Sequence, residues 1–200
     1  FRRVLFRSDL RNLTGGEHAV VVAGEGKMPR AALALQVKDG AQATKSLTAL
    51  SKSLPVVVRQ FGSGDAAKIG DAAPFAQDGV KGQSLSMGSG RSVAWGVRGD
   101  LAAIGNGPAA VAGVLAPRSK AQSLAATPGF ASATQGMPDK VTGLAYVDMG
   151  KVMPILAANG GFDGKDGAQR KADLAPIKTI AAWSTAGSTP TVEVFVGMGA

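Results

Sequence analysis

Three stretches of this chain hold residue types from which chemistry could be built. The first is Gly105-Asn106-Gly107-Pro108-Ala109-Ala110, which matches GxGxxA between an apolar strand and a helix. In a dinucleotide site such glycines let a pyrophosphate approach a helix N-terminus. That chemistry also needs a parallel strand–helix–strand unit and an acid about 20 residues on. Gly99-Asp100 instead reads as a two-residue turn, which makes the preceding strands an antiparallel hairpin. Thr127 to Phe130 carries no acid, and Pro108 removes an N–H from the helix end that would face a phosphate. The motif is therefore read as a turn and a helix cap without a ligand.

The second is His18, the only histidine. A metal site wants two or more histidines or cysteines, and a Ser-His-Asp triad would depend wholly on this residue at a strand start. No GxSxG elbow supplies the serine. The third is Asp163-Gly164-Lys165-Asp166-Gly167, which has the look of a calcium loop. It lacks the spaced third acid and the closing glutamate that wrap the ion. The remaining acids fall at caps and turns, namely Asp39, Asp100, Asp148 and Asp173. No catalytic, cofactor-binding or metal-ligating residue is assigned, and no cofactor is expected. One apolar site is weighed: glycines and alanines opposite Trp95, Met149, Met153 and Trp183 could leave room for an apolar or lipid-like ligand between sheet and helices. Ordinary core is the alternative for all four.

The elements that would position these residues follow from periodicity. Glu17 to Gly24 reads as a strand, and Ala31, Leu33, Leu35 and Val37 alternate as a second. Asp39 caps a helix with Gln42 three residues on, and Ala43, Leu47, Leu50 and Leu54 form its apolar stripe. Pro55 breaks or restarts it. Phe61 to Gly79 reads as a loose connection and an internal boundary. Val80 to Met87 is strand-like, followed by a Gly88-Ser89-Gly90 turn and the hairpin Ser92–Ile104. In that hairpin Val93, Trp95 and Val97 alternate with small or polar residues, as on a half-buried strand. A helix runs to Pro117, another starts at Thr127-Pro128, and Lys140 to Val147 is a strand leading into a helix over Met149–Leu156, with a kink or a restart expected at Pro154. Asp173 opens a short helix containing Pro176. The chain closes in a hairpin with Val192, Val194, Val196 and Met198 on one face. Hairpin followed by helix recurs at 17–54 and 92–116. This predicts an α+β fold of antiparallel sheets built from hairpin-plus-helix units, with the helices packed mainly on one face.

Composition bounds the rest. The leader Phe1–Ser8, FRRVLFRS, resembles translated sequencing adapter and is set aside, which makes the chain a fragment of a longer protein. Without Arg2, Arg3 and Arg7 the formal charge falls from +8 to +5. The lysines are scattered and no basic run interleaves with aromatics, so nucleic acid is not expected. Cysteine is absent, which excludes disulfides and thiolate chemistry. No run of 18 apolar residues could span a membrane, so membrane association would come only through an upstream anchor. Residues 9–200 are expected to form one domain, or two halves, 9–62 and 80–200.

The runs GGEHAVVVAGEGKMPRAALALQVKD, VAWGVRGDLAAIGNGPAAVAGVLA, SLAATPGFASATQGMPDKVTGLAYVDMGKVMPIL and ADLAPIKTIAAWSTAGSTPTVEVFVGM occur in this order. Together they resemble the C-terminal part of the bacterial family catalogued as domain of unknown function 3352. The resemblance implies an extracytoplasmic location, in the envelope or secreted, often behind a membrane anchor or signal. It supplies no activity. The leading expectation is a non-catalytic structural or interaction module with a protein partner at the cell envelope. A binding module for an apolar ligand comes second and an enzyme of unknown type third.

Overall fold

A computed structural model describes residues 17–24, 28–61, 69–88, 90–117, 119, 122–185 and 191–199. The leader Phe1–Ser8 lies outside these residues. Among the described residues, five helices and two antiparallel sheets make the fold α+β. The chain divides into two compact units, one of residues 1–23 and 30–117, the other of 24–29 and 118–200. The division thus falls after Pro117, not within 61–79.

The first unit holds β1 (His18–Ala23), β2 (Arg30–Gln36), α1 (Gly40–Phe61), β3 (Ala72–Gln77), β4 (Val80–Ser86), β5 (Ser92–Arg98), β6 (Leu101–Gly105) and α2 (Pro108–Leu115). Its sheet has the order β1-β2-β6-β5-β4-β3. A meander from β3 to β6 returns the chain alongside β2, with Leu33 opposite Ile104 and Ile104 opposite Trp95. Gly99 turns the β5–β6 hairpin with φ 61, as its position predicts.

The register sorts side chains by size. On one face lie Leu33, Leu35, Ile104, Ala102, Trp95, Val97, Val93 and Leu85, covered by Ala43 and Leu47 of α1. Asp39 caps α1 as expected, accepting the Gln42 N–H at 3.0 Å. The helix then runs through Pro55 without a break, beyond the stop read from the sequence. On the other face lie Ala32, Ala34, Ala94, Gly96, Ala103 and Gly105, covered by α2. A Cβ on Gly96 would stand 3.2 Å from Leu115 Cδ1, and one on Gly105 would stand 2.9 Å from Ala110 Cβ. Small residues on this face let a short helix come close.

Helices therefore cover both faces of this sheet, correcting the expectation of mainly one. Ala94, Trp95 and Gly96 are all buried, so β5 is covered on both sides. The alternation of large and small separates two packed faces, where it had been read as inside against outside. The loose stretch 61–79 contains β3. Asp78 (φ 50) and Gly79 (φ 74) form the two-residue turn to β4, and Asp-Gly between strands is a hairpin signal that the composition of the region obscured.

The second unit holds a 3-10 turn (Leu124–Ala126), α3 (Pro128–Ala133), β7 (Gly143–Asp148), α4 (Met149–Ala158), α5 (Gly167–Leu174), β8 (Ile177–Thr185) and β9 (Thr191–Met198). The strand order is β7-β8-β9. Its buried apolar cluster is small: Ala133, Ala181 and Trp183, flanked by Met137, Val141, Tyr146 and Phe195. Proline begins α3 as the sequence predicts. Asp173 lies in the last turn of α5, which starts at Gly167 and ends before Pro176, correcting the helix expected to open there. The C-terminal hairpin and its one-face row of valines are as predicted.

Candidate functional site

The residues singled out for chemistry lie at strand ends, turns and helix ends. Gly105 closes β6, between antiparallel β2 and β5. The Asn106 side chain turns to β2, where its Oδ1 accepts the Ala31 N–H at 3.0 Å, while its own N–H donates to the Ala31 carbonyl at 3.0 Å. Gly107 sits at the N-cap of α2 with φ 147 and no side-chain cap bond. The loop thus extends the ladder and turns the chain into a helix. His18 is exposed at the start of β1, opposite Leu35 in the ladder. Around Asp163 the Arg170 guanidinium donates to the Asp163 carbonyl at 2.8 Å. Asp173 accepts from Gln169 Nε2 at 2.7 Å. Asp148 stands at the N-cap of α4 without a side-chain cap bond.

The four residues weighed as apolar ligand contacts are divided between the units. Trp95 is buried in the core under α1. Trp183, Met149 and Met153 belong to the second unit, where Trp183 and Met149 are buried and Met153 is half-buried.

The second unit's sheet has two unlike faces. Register places Leu144, Trp183 and Glu193 across one another, then Tyr146, Ala181 and Phe195. This is the aromatic face, covered by α3. Phe130 of α3 meets Tyr146 edge-on, with ring centroids 5.1 Å apart. Burial pushes the Tyr146 phenol above its ordinary value, and the nearby Asp148 carboxylate adds to the shift. Trp183 is 6% exposed, yet its indole Nε1 finds no hydrogen-bond partner among the described residues. A buried donor without an acceptor costs about 1–3 kcal/mol.

The opposite face carries Val147, Ile180 and Val196 across one another, then Ala145, Ala182 and Val194, then Gly143, Ser184 and Val192. On β9 this face is open: Val192 is 72% exposed, Val194 65%, Val196 46% and Met198 64%. β9 is also an edge strand. Its apolar row was legible in the sequence, but its exposure was not, because alternation is the same whether the apolar side is covered or bare. The edge strand β1 is exposed too, with Val20 and Val22 on one face and Val21 on the other, a shorter apolar row than that of β9.

No family model, curated protein or solved structure matches this chain.

Proposed function

We propose that this chain is a non-catalytic interaction module, exported to the bacterial envelope or secreted, that meets a protein partner through the valine face of β9. The observation that carries the reading is the exposed row Val192, Val194, Val196 and Met198 on an edge strand. Contiguous exposed apolar surface of this kind marks contact sites on soluble domains. Strand edges are commonly guarded by proline or lysine. The edge strand β3 has Pro74, whereas the edge strands β1, β7 and β9 have neither residue type, and of these β9 carries the longest exposed apolar row. A partner of matching chemistry presents an apolar face or an extended apolar segment that can add to the sheet. Export is supported by the resemblance to family 3352.

The absence of cysteine makes the test clean, since one introduced thiol is unique. A photo-crosslinker attached at Val194→Cys is expected to give discrete protein adducts in the producing bacterium. The same label at Lys81→Cys, an exposed site in the first unit, is expected to give none. Equal labelling at the two positions would remove the proposal. Export is tested separately with the full reading frame: a product that stays in the cytoplasm would count against that part alone.

A further inference from the structure

We infer that Asn159-Gly160, at the C-terminal end of α4, is a site of non-enzymatic modification, where the Asn159 amide is lost as ammonia and the aspartyl or isoaspartyl carboxylate left behind loosens the helix end. This lies outside the β9 contact and does not rest on it. In the first step the Gly160 nitrogen, with no side chain beside it, bonds to Asn159 Cγ. The Cγ–Nδ2 bond breaks, and the Gly160 proton leaves with the amide as ammonia. Water then opens the succinimide ring, on the Cγ side to give aspartate or at the main-chain carbonyl to give isoaspartate. The chain has three asparagines, and two of them, Asn106 and Asn159, precede glycine. Their surroundings separate the two. The Asn106 N–H and Oδ1 are both bonded to Ala31 of β2 at 3.0 Å, and Gly107 is buried. Swinging the Asn106 amide onto the Gly107 nitrogen breaks its bond to β2. Asn159 is exposed, and its Nδ2 donates to the Ile155 carbonyl of its own helix at 2.8 Å. The Gly160 N–H donates to the Ala157 carbonyl at 3.3 Å, longer than an ordinary N–H to oxygen bond. Helix ends fray, so one local opening releases both groups. Gly160 has φ 75, the left-handed residue that stops a helix, so the turn itself requires the glycine that makes the pair reactive. The product sets a negative charge at the C-terminal end of α4, where the helix dipole opposes it, and takes the Nδ2 donor from the Ile155 carbonyl. Because α4 packs on β8, which carries Trp183, the loosening reaches the core of the second unit.

The chain is held in warm, mildly alkaline buffer, sampled over time and cut with trypsin, which places Asn159 in peptide 152–165 and Asn106 in peptide 99–118. Peptide 152–165 is expected to gain the mass of oxygen in place of NH and to split into two chromatographic forms, aspartyl and isoaspartyl. Peptide 99–118 is expected to convert at least roughly fivefold more slowly, the worth of one further hydrogen bond that must open. In denaturant the two rates should approach each other, which assigns the difference to the fold. An unchanged peptide 152–165, or conversion at Asn106 as fast as at Asn159 in the folded chain, would overturn the inference. The effect on α4 is read in Trp95→Phe, where Trp183 is the sole indole and reports the second unit. The aged protein is expected to show a lower denaturant midpoint in proportion to the converted fraction. Asn159→Gln in the same background keeps an amide but must close a larger ring, and it is expected to stay unmodified with a constant midpoint. A converted sample whose midpoint has not moved would overturn the loosening of α4. Where Asn159→Gln fails to fold, the parent's midpoint against its converted fraction decides.

Discussion

At the scale of single residues, two positions carry sharp consequences. Gly105 looks like part of a phosphate loop, but its missing side chain serves packing. A Cβ there would crowd Ala110 Cβ and the Ala31 carbonyl, both at 2.9 Å. Gly105→Ala is expected to destabilise the first unit by about 1–3 kcal/mol, as overpacking does, read as a lower denaturant midpoint. Tyr146 is the only tyrosine, so ultraviolet titration reports it alone. Burial chiefly, and Asp148 secondarily, raises its pKa above 10.0. The midpoint in the folded protein is therefore expected above that value, and Asp148→Asn should lower it only in part. Below the unfolded pKa both states keep the proton and stability is unaffected. As pH rises from there through the folded pKa, the unfolded chain loses its proton first and stability falls. Tyr146→Phe should lack that part of the alkaline loss, which pH-dependent unfolding of the two proteins would measure.

At the scale of elements, α4 runs from Met149 to Ala158 with Pro154 inside it, where the sequence predicted a kink or restart. A proline there lacks the N–H that would bond the carbonyl four residues back, and its ring crowds that carbonyl. The residue four back is Gly150, which brings no side chain of its own to the turn. Pro154→Ala restores a bond worth up to about 3 kcal/mol in a helix interior. It also frees the unfolded chain, which offsets about 0.4–1 kcal/mol. The bond outweighs the entropy, so the variant is expected to melt higher, with slightly more helical circular dichroism. Most elements were legible where one local signal sufficed: Asp39 at the start of α1, Gly99 in its turn, Pro128 opening α3. Strand β3 was missed because alanine, glycine and aspartate around it lowered the apolar contrast that periodicity relies on. The open face of β9 and the unpaired indole of Trp183 had no local signal, because exposure and hydrogen-bond partnership depend on what the rest of the fold brings near.

At the scale of the whole molecule, the division after Pro117 was not legible. Pro117-Arg118-Ser119 reads as an ordinary helix end, and sequence alone does not say that the next strand joins another sheet. The cores show the division instead. Leu35, Leu47, Trp95, Val111 and Leu115 are buried within the first unit, whereas Ala133, Ala181 and Trp183 are buried within the second. One tryptophan lies in each, so fluorescence can follow the units separately. Consider Gly105→Ala placed in two backgrounds, Trp183→Phe, which leaves Trp95, and Trp95→Phe, which leaves Trp183. The strain it introduces is confined to the contact of β6 with α2 and β2. Units that unfold independently should show a lower midpoint from Trp95 and an unchanged one from Trp183. A fall of equal size in both signals would mean that the two cores unfold as one cooperative block. The small core of the second unit could not then be treated as stable by itself, and truncation at Pro117 should leave it unfolded.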